Sequence, residues 1–186
     1  MKKGFVLAFV SSLIMHHACV QSMSTHELPA KKSSLAYILG LITKHEHHEI
    51  HDTLQELRDA LTHNRIDEFV SLIRQFYSQI PYTIAIEKEK YYQTIFYVIL
   101  RLIDLKPEVE KATNIGRIDM IVELEDRIFI FEFKLNGSAS TALQQIHDMQ
   151  YYQPYLTENK KIVLVGINFS SKLRNIADYL FEEFII

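Results

Sequence analysis

The sequence predicts a mixed α/β domain with helices first and a sheet after them, on three observations. From Asp52 to Leu105 apolar residues recur at spacings of three and four, the period of a helix with one buried face. After Pro107 the period changes to two. The third is the stretch Arg127 to Leu135, which reads R-I-F-I-F-E-F-K-L. Alternation sends Phe129, Phe131 and Phe133 to one face and Ile128, Ile130, Glu132 and Lys134 to the other, so both faces are apolar until Glu132. Such a strand is covered on both sides, and a carboxylate within it needs a partner.

The elements follow in order. Asp52-Thr53-Leu54-Gln55 resembles a capping box, and Leu54, Leu57 and Leu61 make the stripe of a first helix. Asn64 begins a second, with Ile66, Phe69, Val70, Ile73 and Phe76 on one side, and Pro81 closes the hairpin. Glu87 to Leu105 is a third helix, in which Glu89 leads a stripe continued by Tyr92, Phe96, Ile99 or Leu100, and Ile103. Glu89 thus stands in the first turn of the buried face. As a bare helix-dipole acid there it would be worth a few tenths of a kcal/mol to about 1. Glu108 to Thr113, Arg117 to Leu124 and Arg127 to Leu135 read as strands, the last two joined by a tight Glu125-Asp126 turn. Asn136-Gly137-Ser138 breaks the pattern and starts a helix with Ala139, Ala142, Leu143 and Ile146 inward. Lys161 to Phe169 is a buried strand, and Leu173 to Phe184 is expected to be a final helix. The second and third strands should pair antiparallel, with Lys161 to Phe169 beside them and the hairpin before Pro81 as an appendage.

Asp119 shares a strand face with Arg117 and Ile121. Pairing of its strand with the next brings Asp119, Glu132 and Lys134 to one end of a sheet. Two carboxylates about 4 Å apart repel by roughly 4 kcal/mol at an effective dielectric of 20. One lysine is a poor match for Glu89, Asp119 and Glu132 together, and a divalent cation relieves that repulsion. The alternative is two edge ion pairs, Glu132–Lys134 and Asp119–Arg117, each worth about 0–1 kcal/mol if exposed. Spacing alone leaves both open.

Composition narrows the function. The chain has 186 residues, 48% of them hydrophobic, which suits one domain with extra helices, and its net charge of −3 carries no global basic footprint. Five dispersed glycines leave no P-loop or dinucleotide-binding loop, and a single cysteine excludes an internal disulfide and any CxxC zinc pattern. Residues 1–22 resemble a signal peptide, with Lys2 and Lys3 before the apolar run Gly4 to Met15, and Ala18-Cys19 bears a faint likeness to a lipoprotein site. Export or membrane anchoring is the localisation this segment suggests. Residues 23–51 read as a linker, a short apolar stretch and a histidine run. Within that run His47 and His51 could share a helical face toward zinc, though a solvated helix start explains them as well. Residues 52–186 form the folded domain.

An acid on the second strand and Glu-x-Lys on the third resemble the PD-(D/E)XK nuclease superfamily. More narrowly, Asp67 onward resembles the nuclease-like domain that follows an ATPase-like domain in a large family of bacterial proteins. The resemblance lies in Ile80-Pro81-Tyr82, Glu89-Lys90-Tyr91-Tyr92-Gln93, Thr113-Asn114-Ile115-Gly116-Arg117-Ile118-Asp119, Ile130-Phe131-Glu132-Phe133-Lys134-Leu135, Ala142-Leu143-Gln144-Gln145-Ile146 and Val165-Gly166-Ile167-Asn168-Phe169. It implies a restriction-endonuclease-like α/β core (helix, three strands, helix, strand), here with an N-terminal helical hairpin. It also implies a nuclease acting on DNA with Mg²⁺ or Mn²⁺, and a cytoplasmic location where the first residues suggest export or membrane anchoring. Asp119, Glu132 and the Phe133 carbonyl would hold the metal, Glu89 would bind it or orient its water, and Lys134 would help deprotonate or position the attacking water and stabilise the phosphorane-like charge. Gln145 would face the site from the following helix, and Arg117 and Tyr151 would be substrate contacts. The chain departs from the family in two respects. A signal-like segment and linker stand where the ATPase-like domain is found, which makes a separate ATPase-like partner a candidate. After Gln145-Ile146 it reads His147-Asp148 where the family often has a basic residue. The alternative function is a weakly active or inactive nuclease-fold module that binds nucleic acid or another protein, as a remnant of a longer ATPase-nuclease protein.

Overall fold

The computed structural model describes residues 47–184. The signal-like segment, the linker and Leu35 to Thr43 lie outside the described residues, as do the side chains of His47 and His51. The first helix, α1 (His47–Thr62), already includes the residues on both sides of the start of the expected capping box. Asp52 therefore lies inside it and does not cap it. Asn64, at φ 58, makes the left-handed turn into α2 (Ile66–Ser78). α3 (Glu89–Leu102) follows, then strands β1 (Glu108–Ala112), β2 (Arg117–Glu123) and β3 (Arg127–Leu135). α4 (Ala139–Asp148) crosses to β4 (Lys161–Ser170), and β5 (Asn175–Phe184) ends the described chain. Among the described residues no helix is long and apolar enough to cross a membrane.

The five strands lie in sequence order, antiparallel at every step except β3–β4, which are parallel and joined by the α4 crossover. This is the restriction-endonuclease-like core the sequence implies. The alternation along β3 divides two cores. Phe129, Phe131 and Phe133 form a ladder with ring centroids 6.1 and 6.2 Å apart, and Phe96 of α3 meets the last two edge-on at 5.3 and 5.1 Å. Ile128 and Ile130 face the other way, into a cluster with Ile118, Ile121, Ile146, Tyr151 and Tyr155 under α4.

Two expectations are corrected. The residues from Leu173 to Phe184 form no helix: Asn175 to Phe184 is strand β5, paired antiparallel to β4 over its whole length. Leu173, Ile176, Leu180 and Phe184 lie three or four apart and imitate a helical stripe, but β4 without β5 would leave its outer row of backbone donors and acceptors unpaired. The hairpin of α1 and α2 is also no appendage. Leu57, Ala60, Leu61, Phe69, Val70 and Ile73 are fully buried in the same core as the Phe ladder. Arg74 of α2 donates to the β5 carbonyls of Ile176 (3.2 Å) and Ala177 (3.1 Å). α2 therefore braces the strand that the sequence pattern disguised.

Candidate active site

The site forms where β2 and β3 separate. Their ladder runs from Glu123–Ile128 to Met120–Phe131 and stops. One step beyond, the side chain of Asp119 replaces a backbone partner: the Phe133 N–H donates to its Oδ2 at 3.0 Å. The Phe133 carbonyl points toward the same opened edge, because the N–H and C=O of one strand residue face the same side. Register places Asp119 across from Glu132, and alternation keeps both on the α4 side of the sheet with Ile121 and Ile130.

Glu132 is the most perturbed group of the site. Only 2% of it is exposed. Burial, reinforced by the charge of Asp119, pushes its carboxyl up to about 7; Lys134 opposes the rise and Glu89 adds to it. Lys134 Nζ donates to Glu132 Oε1 at 2.8 Å and to Gln145 Oε1 at 2.7 Å. Glu132 Oε2 is buried with no hydrogen-bond partner. An ionised carboxylate whose second oxygen is left dry is costly, which is why the proton is held so far above the usual glutamate range.

Several residues hold these groups in place. Gly166 is the register partner of Glu132, and a Cβ there would come within 2.5 Å of the Ala139 carbonyl and 2.8 Å of the Leu143 nitrogen. Only glycine lets α4 approach this closely, and that approach sets Gln145 over Lys134. Asn168, the partner of Lys134 on β4, accepts from the Gly137 N–H and donates to the Gly137 carbonyl, both at 2.9 Å. Ser138 caps α4 through the Thr141 N–H, and Asp178 of β5 accepts the Ala139 N–H at 2.8 Å. At the start of α3, Gln93 donates to Glu89 Oε1 at 3.2 Å and accepts from Lys90 Nζ at 2.9 Å. Gln93, Gly166 and Asn168 stood inside the quoted motifs without a role. The signals were a polar residue on an apolar helix stripe, and a Gly and an Asn in a buried strand.

The expected site residues thus divide. Asp119, Glu132, Lys134 and Gln145 are brought together, and Glu89 stands near enough for its charge to raise Glu132. Tyr151 is buried behind Gln145, whose Nε2 reaches its hydroxyl at 3.5 Å, and Gly116 packs over that hydroxyl. Arg117 is more than half exposed, with its Nε 2.6 Å from Glu110 Oε2. Among the described residues no three His, Cys, Asp or Glu side chains are grouped as a ready set of metal ligands. The donor set still fits a hard cation: Asp119 and Glu132 stand across the fork from each other, and the unpartnered Glu132 Oε2 supplies the buried acceptor that a cation would satisfy.

A fold of this topology with Asp119 opposite Glu132-x-Lys134 defines a nuclease-type domain. A family model of the PD-(D/E)XK nuclease superfamily matches residues 87–179, half of the chain, and the chain belongs to that superfamily. The match runs from just before α3 into β5 and contains every residue of the site. A protein of Azotobacter chroococcum mcd 1 described as an uncharacterized protein in the vnfD 5′ region is 32% identical over 136 residues, covering 69% of this chain and 26% of the relative. The chain therefore spans about a quarter of that relative's length. No solved structure matches it.

Proposed function

We propose that the protein is a Mg²⁺-dependent phosphodiester hydrolase acting on DNA. The observation that carries this reading is the buried Glu132, with its unpartnered Oε2 and raised carboxyl, set across the strand fork from Asp119 and bonded to Lys134. An ion pair serving stability alone has no use for an unsatisfied oxygen beside a second carboxylate.

Asp119, Glu132 and the Phe133 carbonyl would hold the cation, with Glu89 reaching it directly or through water. When bound, the cation supplies Lewis acidity toward a phosphoryl oxygen and lowers the pKa of an attacking water. Lys134 contributes the rest from this chain's own atoms. Its ammonium has three N–H groups; Glu132 and Gln145 take two, which fixes its direction and leaves one for the water or the phosphoryl oxygen. As the water oxygen bonds to phosphorus and the P–O bond to the leaving oxygen breaks, negative charge grows on the phosphoryl oxygens, and this fixed cation stabilises it. Gln145, tied to Tyr151, keeps the lysine from swinging into solvent.

The test is cleavage of plasmid and single-stranded DNA with Mg²⁺, Mn²⁺ or EDTA, comparing wild type with Asp119→Ala. Metal-dependent cleavage that disappears in the variant is expected. Wild type that binds DNA with no turnover in any metal would overturn the proposal in favour of a binding module, the reading that the absence of a ready-made ligand set among the described residues favours.

A further inference from the structure

Glu110 occupies a position the strand pattern makes awkward. Val109 pairs with Met120 and Lys111 with Ile118, so register sets Glu110 across β1–β2 from Asp119. A regular extended residue there would point its carboxylate to the same side as Asp119, adding a third acid to the row that already holds Asp119 and Glu132. The backbone departs from regular extension here. Glu110 adopts φ 57, the left-handed region that residues with a Cβ seldom enter. Its carboxylate reaches two cations instead: Oε2 lies 2.6 Å from Arg117 Nε, and Oε1 is ion-paired with Lys90 Nζ.

Those cations flank the reaction centre. Lys90 follows Glu89 on α3, and Arg117 shares a strand face with Asp119 two residues on. Both side chains are 59% exposed and Glu110 is 32% exposed, so these are open ion pairs that hold weakly and exchange readily. The guanidinium and the ammonium converge on one carboxylate, and a phosphodiester offers them the same kind of charge-assisted acceptors. Lys90 also stays anchored through Gln93 Oε1 when Glu110 leaves.

We propose that Lys90 and Arg117 form a seat for a backbone phosphate of the nucleic-acid strand, and that Glu110 fills this seat in the free protein and is displaced on binding. The inference rests on the nuclease reading only for the identity of the strand as substrate. Such a seat would let a chain whose net charge is −3 bind nucleic acid, since the cations needed are local and masked until a phosphate arrives.

The test is fluorescence anisotropy with labelled single- and double-stranded oligonucleotides in EDTA, where nothing is cleaved, on the full chain. Glu110→Asn removes the charge with a residue that tolerates the left-handed backbone, and Glu110→Asp keeps the charge as control. Glu110→Asn is expected to tighten binding on the order of 3- to 10-fold at low salt, with Glu110→Asp close to wild type. Lys90→Gln and Arg117→Gln should each weaken binding and reduce the salt slope by about one. Glu110→Asn binding no tighter than wild type, in a protein whose circular dichroism is unchanged, makes Glu110 a structural ion bridge and overturns the proposal; so does binding by none of the proteins. Cleavage in wild type with this flat affinity pattern removes the seat alone. The expected affinity pattern without cleavage in any metal removes the nuclease reading and leaves the seat.

Discussion

Replacing Glu132 by Gln should change how stability depends on pH more than it changes stability itself. Glu132 holds its proton to about pH 7 in the fold, against 4.5 for the ordinary side chain. Between those values the folded protein keeps a proton that the unfolded chain has released, so stability falls as pH rises through the window. Each pH unit there is worth about 1.4 kcal/mol, so the loss between pH 5 and 8 is about 2–3 kcal/mol. Glutamine removes the titration but puts an amide nitrogen where Oε2 has no partner, at a cost of about 1–3 kcal/mol. Glu132→Gln is therefore expected within about 2 kcal/mol of wild type at pH 8, clearly less stable at pH 5, and flatter between them. Urea denaturation of both proteins in EDTA at four pH values measures this, since titrating groups away from Asp119, Lys134 and Glu89 cancel in the comparison. Parallel stability curves would refute the reasoning. Repeated with Mg²⁺ or Mn²⁺, wild type should gain melting temperature, more at pH 8 than at pH 6, because the ligand must be ionised, and Glu132→Gln should gain none.

Two further substitutions probe the chemistry and the scaffold. Lys134→Ala should lower the cleavage rate on the order of 10²–10³ while changing DNA affinity little, and Lys134→Arg should also be poor because the bulkier, planar guanidinium cannot take the ammonium's place between Glu132 and Gln145. A variant that loses affinity alone would make the lysine a phosphate contact. Gly166→Ala must push α4 off the sheet, since the added methyl meets backbone atoms at 2.5 and 2.8 Å. It should destabilise the fold by about 1–3 kcal/mol in denaturant titration and reduce cleavage even where the variant is fully folded. Unchanged activity and stability would show that α4 adjusts freely.

The sequence by itself determined the parts of this protein that depend on near neighbours. Alternation within β3 decided that the three phenylalanines stack on one side and that Glu132 and Lys134 share the other. The short turn at Glu125-Asp126 decided that β2 and β3 pair, and with them that Asp119 and Glu132 meet. Period and turn chemistry are local, so both were legible. Tertiary structure decided what depends on partners far along the chain. The segment ending at Phe184 carries apolar spacings compatible with a helix, and only the open edge of β4 makes it a strand. The hairpin of α1 and α2 reads as self-contained, yet its buried stripe closes over the Phe ladder about 60 residues later in the chain. Glu110 looked like an ordinary strand residue until its register opposite Asp119 and two cations from separate elements turned it aside. Gly166 carried no role in the sequence pattern, and its purpose appears only with the α4 backbone lying against it. A linear pattern records which face a side chain takes; it does not record what arrives at that face from elsewhere, and at this site the arrivals set the proton affinity of Glu132 and the direction of Lys134.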